Sequence, residues 1–310
     1  MKRQFTSFQI IIGGFAAVIL IGSLLLTLPI ATRDGEGAAF MEALFTATSA
    51  TCVTGLVVQD TATYWSVFGQ SIILILIQIG GMGVVTIAVL AAIISGKRIS
   101  LKQRSTLQEA IAAPNVGGIV KLTGFIITTT AAIEGIGALL LFPVFYKQFG
   151  IIKGLWYAIF HSISAFCNAG FDLMGESSKF SSLTGYADNL PVNLVIMSLI
   201  IIGGIGFVTW DDIRNNGFSI KKYRMQSKVI LTATFILIIV PFLFFYCYEM
   251  NGFKWQDISQ GERILAALFQ AVTPRTAGFN TIDLTKLSEA GQTLMILLML
   301  TGGAPGSTAG

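Results

Sequence analysis

The sequence is short of charge. Aspartate, glutamate, lysine and arginine make up 12% of its 310 residues, about half the roughly 25% of soluble proteins. So few charges do not build a water-soluble surface. It is also short of metal-binding and redox groups. There is one histidine, and the three cysteines (Cys52, Cys167, Cys247) form no C-x-x-C pair, so neither a disulfide framework nor a metal site is indicated. An intramembrane enzyme or a quinone-linked redox subunit needs ionisable groups within its apolar runs. Here a lone acid, Glu134, lies in one, which points away from an enzyme. What the chain has instead is 54% hydrophobic residues, 33 glycines and a mean hydropathy of +0.75. That excludes intrinsic disorder and describes an integral membrane protein. The net charge of +4 does not imply nucleic acid, because its basic residues serve another purpose.

Six runs free of charge, or broken by a single acid, have the length of a membrane-crossing helix. They are Gln4–Thr32, Thr61–Gly96, Leu122–Tyr146, Asn189–Trp210, Val229–Tyr248 and Ala290–Gly310. Three shorter runs lie between them, Ala43–Gln59, Gly154–Phe171 and Ile264–Pro274. A helix of about a dozen residues goes only halfway through a bilayer, so these read as re-entrant loops. Lys2 and Arg3 precede the first run, but its length and the lack of an A-x-A site argue for a retained helix rather than a signal peptide. Twelve of the 20 basic residues, against three acids, fall on the N-terminus and the segments Lys97–Lys121 and Asp211–Lys228. By the positive-inside rule these segments, and the N-terminus with them, are cytoplasmic. The opposite face is acidic and attracts cations.

An internal repeat organises the chain. ALFTATSATCVTGL (Ala43–Leu56), AIFHSISAFCNAGF (Ala158–Phe171) and ALFQAVTPRTAGF (Ala267–Phe279) share A-[LI]-F, a stretch of small residues, and a glycine before a large apolar side chain. Glycine clusters follow in phase at Gly80–Gly83, Gly203–Gly206 and Gly302–Gly306. The unit is a helix, a half-helix, a glycine-containing strand-like return, and a helix with a glycine cluster. The expected domains are repeat 1 (1–96), a basic loop (97–121), repeat 2 (122–212), a second basic loop (213–228) and repeat 3 (229–310).

Physically such a unit suits an ion pore. A half-helix directs the negative end of its dipole to the membrane centre, and the return lines an axis with backbone carbonyls able to replace the water shell of potassium. The candidate filter residues are Val53, Thr54, Gly55, Asn168, Ala169, Gly170, Thr276, Ala277 and Gly278. Glu134 reads as a hydrogen-bond partner to a pore helix or its loop. Arg275, three residues before Gly278, reads as a brace behind the filter against a carboxylate or backbone carbonyls. His161, Cys52 and Cys167 read as packing residues, and Gly80–Gly83 and Gly203–Gly206 as close-approach sites. The segment Gly302, Gly303, Ala304, Pro305, Gly306, Ser307, Thr308, Ala309 and Gly310 does not continue as a regular helix. It lacks the lysine of a phosphate-binding P-loop.

TCVTGL, CNAGFD, TPRTAGFN and GGAPGSTAG together resemble the Trk/Ktr/HKT superfamily of potassium transporters, and in particular the membrane subunit of bacterial Ktr systems, along the whole chain. The resemblance implies an all-α membrane fold of four helix–pore-loop–helix repeats around one pore, of which three are present. A fragment of a longer protein is therefore expected. It implies potassium uptake by channel-like permeation, with potassium held by filter carbonyls, no covalent cofactor, and a gating loop at Gly302–Gly310. Serine at the first filter glycine accompanies sodium passage in that superfamily; all three positions are glycine here. Implied partners are a second copy in a homodimer, membrane lipids, and a cytoplasmic ring of nucleotide-binding regulatory subunits (KtrA-like) that senses ATP and ADP. Sodium remains a candidate activator, and a sodium- or proton-coupled cation carrier is the alternative reading. Inverted repeats would mark such a carrier, whereas these repeats run in one orientation.

Overall fold

The computed structural model describes residues 6–95, 100–111, 118–217, 219–252, 255 and 258–309. The chain is all-helical as expected. Among the described residues the one β-type pairing is an isolated bridge between Thr32 and Trp65, so the strand-like returns carry no ladder.

Repeat 1 consists of α1 (Ser7–Leu26), α2 (Phe40–Thr51), α3 (Val67–Met82) and α4 (Val84–Ile94). A connecting helix, α5 (Leu101–Ala110), occupies the first basic segment. Repeat 2 consists of α6 (Ile119–Phe149), α7 (Ile151–Phe166), α8 (Leu190–Gly204) and α9 (Phe207–Asn216). Repeat 3 consists of α10 (Met225–Phe244), α11 (Gln260–Val272) and α12 (Glu289–Thr301). Helices thus extend a few residues into both basic loops, because Ile119, Val120 and the Arg224–Lys228 stretch carry no turn residue that would stop them. Starts are set locally. Thr6, Ser100 and Ser259 form capping boxes with Gln9, Gln103 and Glu262, satisfying helix-end N–H groups that a bilayer would leave bare.

Among the described residues three helices are long and apolar enough to cross a membrane unbroken, Ser7–Leu26, Ile119–Phe149 and Met225–Glu249, and the spans number up to five if each bent pair counts as one. The expected six full-length spans are reduced accordingly. The second and fourth runs are each bent by 95°, between α3 and α4 and between α8 and α9. The sixth ends as a helix at Thr301. Glycine explains the bends. Gly83 (φ 81°, ψ 135°) and Gly206 (φ 86°, ψ 150°) sit at the same place in repeats 1 and 2. Both have left-handed φ and extended ψ, a combination nearly confined to glycine. A bend at one residue leaves the hydropathy of a run unchanged.

Burial is sorted by size and polarity. Leu20, Leu24, Ile236, Val240 and Leu300 are exposed, while Ser23, Thr46, Ser49, Ser162 and Ser164 are buried. In lipid, large apolar groups gain nothing by facing inward, and small residues let backbones approach. The short helices are the inner layer: α2 packs on α1 and α3, α7 on α6 and α8, and α11 on α10 and α8. Two glycines permit this. A Cβ on Gly80 would lie 2.1 Å from the carbonyl oxygen of Thr51, the last residue of α2. One on Gly203 would lie 1.9 Å from that of Phe166, the last residue of α7.

Gly203→Ala and Gly80→Ala are therefore expected to destabilise the protein by about 1–3 kcal/mol, the usual cost of overpacking. Gly13, with nothing within 4 Å of its Cβ direction, tolerates alanine. Thermal unfolding in detergent compares the three; equal melting temperatures would remove the close-approach role.

Candidate functional site

Each short helix is followed by a return segment, and the three returns have one backbone pattern. Val53 (φ 56°), Asn168 (φ 55°) and Thr276 (φ 59°) are left-handed, as are Gly55 (φ 74°), Gly170 (φ 69°) and Gly278 (φ 81°) two residues later. The residue between has negative φ in every copy. Such alternation of hand lets a short segment turn successive peptide groups toward one side. Three non-glycine residues in left-handed conformation at equivalent positions are costly.

Hydroxyls pin these returns to their own helices. Ser164 donates to the carbonyl of Phe171 at 2.6 Å, and Thr273 to that of Phe279 at 2.6 Å. Thr54 donates to Ser49 in repeat 1. Backbone bonds run the same way, from Thr54 N to Ser49 O, Ala169 N to Ser164 O and Ala277 N to Thr273 O. His161, fully buried, adds a second clasp in repeat 2. Its Nδ1 meets the Tyr157 carbonyl at 2.7 Å and its Nε2 accepts from Leu173 N at 3.2 Å.

The returns also meet one another. A Cβ on Gly55 would lie 2.6 Å from the Ala169 carbonyl oxygen, and one on Gly170 would lie 2.5 Å from that of Ala277. The nine candidate filter residues thus come together, with three glycines where the walls touch. Asn168 spans two walls, since its Nδ2 donates to the Arg275 carbonyl at 3.0 Å. The Arg275 side chain is 5% exposed, and its Nε and Nη1 have no hydrogen-bond partner among the described residues.

Behind the second return, Glu134 accepts from Gln78 Nε2 at 3.2 Å and from the Cys167 thiol at 3.9 Å. Its backbone carbonyl accepts from Ser162 at 2.7 Å. Cys167 is buried against Gly81, whereas Cys52 is exposed, so the two cysteines do not share an environment.

The segment after α12 folds against this ring. Thr308, fully buried, donates through its hydroxyl to the Phe166 carbonyl at 2.7 Å and through its N–H to Gly203 at 3.3 Å. Ala304 N donates to Gly204 O at 3.0 Å, and Phe207 N to Gly306 O at 2.8 Å. Thr276 donates to Ala309 O at 3.3 Å. Eight of the nine residues named as a loop, 302–309, are described; Gly310 lies outside the described residues.

A family model described as cation transport protein, TrkH, matches residues 2–310. The chain belongs to the TrkH family. It is 43% identical over 310 residues to the potassium/sodium uptake protein NtpJ of Enterococcus hirae, covering 100% of this chain and 67% of that protein. It is 42% identical over 308 residues to Ktr system potassium uptake protein B of Bacillus subtilis, covering 99% of this chain and 67% of that one. The chain thus spans about two thirds of the length of these relatives. Among solved structures, the potassium transporter TrkH of Vibrio parahaemolyticus shares the fold. Its TM-score is 0.69 at 20% identity, covering 100% of this chain and 59% of that one.

Sequence reasoning did not single out Gln78, Ser49, Ser164, Thr273 or Trp210 as parts of this TrkH-family site. A hydroxyl residue recurs five or six positions before each glycine, a signal that the alignment of repeats contains. Gln78 leaves no such trace, because its partner Glu134 is distant in sequence, and Trp210 leaves none, because its bond to Ile202 forms only across the bend.

Asn168 unites two requirements, tolerance of left-handed φ and the bond to Arg275. Asn168→Ala should destabilise the protein by about 1–3 kcal/mol, more than Asn168→Gly, which loses the bond but keeps the tolerance of left-handed φ. Unfolding midpoints in the same detergent check the order of the two variants.

Proposed function

We propose that this chain builds part of a potassium uptake pathway in which ions pass a filter of backbone carbonyls formed by residues 53–55, 168–170 and 276–278. The observation that carries the reading is the threefold recurrence of left-handed, intervening and left-handed residues, in loops whose glycines meet. Carbonyls directed to one side can replace the hydration shell of potassium, and helix C-termini behind them stabilise a cation. Two relatives are named as potassium uptake proteins, which supports the same cargo. Potassium is the transported substrate, and no covalent chemistry is involved. Glu134 supports the ring from behind rather than coordinating the ion, and Arg275 contributes its backbone carbonyl, which accepts from Asn168 Nδ2, with no carboxylate or carbonyl on its Nε or Nη1 among the described residues.

The loop 302–309 is the gate in this reading, since it closes against the helix C-terminus of the second wall and the return of the third. The basic segments orient the N-terminus to the cytoplasm. They also face a regulatory ring that binds ATP or ADP, and the working unit is a homodimer. The Enterococcus hirae relative's name includes sodium, which favours sodium as a second ion or activator. Potassium flux measured with and without sodium separates these roles.

Serine at a filter glycine takes on left-handed φ at about 1–2 kcal/mol and adds a Cβ. Gly55→Ser meets the Ala169 carbonyl, whereas the nearest atom to a Cβ on Gly278 is 3.4 Å away. Both should lower potassium uptake and its discrimination against sodium in the full-length protein, Gly55→Ser more severely, with Gly13→Ser near wild type. Uptake by a potassium-transport-deficient bacterium decides it; wild-type affinity and selectivity in both variants would take these glycines out of the filter.

Deleting residues 302–309 in the full-length protein should raise ion flux and weaken dependence on the regulatory subunit, while potassium preference is retained. Flux in proteoliposomes checks this.

A further inference from the structure

The loop 302–309 takes most of its hydrogen bonds from the break between α8 and α9, and α9 continues from that break to the second basic segment. At the break, Phe207 N holds Gly306 O, and a Cβ on Gly206 would lie 3.1 Å from the Pro305 carbonyl oxygen. Trp210, one turn into α9, reaches back across the bend. Its indole N–H donates to the Ile202 carbonyl on α8 at 3.0 Å. Its ring lies 5.5 Å from that of Phe166, whose carbonyl accepts from Thr308, and 5.4 Å from that of Phe207. One side chain therefore touches the bend, the end of the short helix and the residue that holds the loop.

The half of α9 beyond Trp210 is tied down separately. Asp212, 3% exposed, accepts from Arg224 N at 3.0 Å and from Ser227 at 2.6 Å, at the start of α10. Asp211 pairs with the Arg224 guanidinium at 2.9 Å, and the Arg214 guanidinium lies 4.5 Å from the Phe125 ring centre. From the break to Asp212 runs about 9 Å of helix, joined to α8 through Gly206, whose carbonyl accepts the first bond of α9 from Trp210 N at 3.3 Å. Repeat 1 has the same bend, but the position equivalent to Trp210, four residues after its glycine, is Ile87. That residue has no polar group to cross the bend. The brace belongs to the repeat on which the loop rests.

We propose that Trp210 is a positioning residue for the loop, and that α9 is the lever by which the segment between repeats 2 and 3 sets its position. The proposal rests on the reading of 302–309 as the gate. Movement of the 217–228 segment by a cytoplasmic partner rotates α9 about Gly206. That rotation parts Trp210 from Ile202 and carries Phe207 N away from Gly306.

The test is potassium flux by the full-length protein in proteoliposomes, with and without its regulatory subunit. Trp210→Phe keeps the ring and removes the indole donor. It should raise partner-free flux by about two- to tenfold, the population shift from one hydrogen bond of ordinary net strength, and reduce the response to the partner. Selectivity for potassium over sodium should not change. Asp212→Asn, at the anchor of α9 to the start of α10, should act in the same direction. With residues 302–309 deleted, Trp210→Phe should have no further effect, because the two changes act through one element. The proposal is overturned if Trp210→Phe changes flux by the same factor with and without the loop. It is also overturned if both variants, assembled in normal amounts with normal melting, keep wild-type flux and regulation. If the deletion alone leaves flux unaltered, the gate reading fails first, and the lever fails with it.

Discussion

Non-helical backbone inside a bilayer has no water to bond, so every irregular segment must find partners within the protein. Three such segments follow α2, α7 and α11, and a fourth follows α12. In the second and third, Ser164 and Thr273 donate to the carbonyls of Phe171 and Phe279; in the first, Thr54 of the return donates to Ser49; all three add backbone bonds to the preceding turn. In the proposed reading the carbonyls of 53–55, 168–170 and 276–278 are the groups that face an ion. The fourth segment has no helix of its own to fold against. It borrows the carbonyls of Gly203 and Gly204, which the bend at Gly206 leaves without the N–H groups of a continuing helix, and that of Phe166, the last residue of α7. The bend and the loop therefore depend on each other for satisfied backbone.

Glycine makes that solution possible in two different ways. At Gly55 and Gly170 both the left-handed backbone and the contact between walls exclude a side chain, and at Gly278 the left-handed backbone alone disfavours one. At Gly80 and Gly203 the backbone is ordinary helix, and the exclusion comes from a carbonyl closer than 2.2 Å to the Cβ direction. In the proposed reading the first kind shapes the ion path, and the second sets how deeply the short helices seat. Mutations of the two kinds have different signatures, one in selectivity and one in stability.

Much of this was legible from the chain alone. The repeat placed the short helices and the three glycines, because both features recur in phase. The short helices begin a few residues earlier than the uncharged runs, since Glu42, Lys153 and Glu262 lie within them, and a count of charges stops at such residues. The bends at Gly83 and Gly206 were invisible to the same count, as an uncharged run reads alike whether straight or turned through 95°. Cys52 and Cys167 occupy equivalent positions and looked alike. They differ because Cys167 has Gly81, Gln78 and Glu134 around it. Long-range partners such as Asn168 with Arg275, or Trp210 with the bend, require the tertiary arrangement.

A gate must be held firmly enough to close and weakly enough to be moved. The loop 302–309 has little apolar surface to bury, so its hold comes from a handful of hydrogen bonds to repeats 2 and 3. At about 0.5–1.5 kcal/mol net for each, they amount to a few kcal/mol. Coupling between a bound regulator and a distant site is typically about 1–3 kcal/mol, which is the same scale. Had the loop been a helix packed by leucines, its displacement would have exceeded what such a partner can supply. In the proposed reading, the glycine-rich, proline-broken sequence after Thr301 keeps the closed position marginal, and α9, held by Trp210 at its start and by Asp211 and Asp212 midway, is the element that tips it.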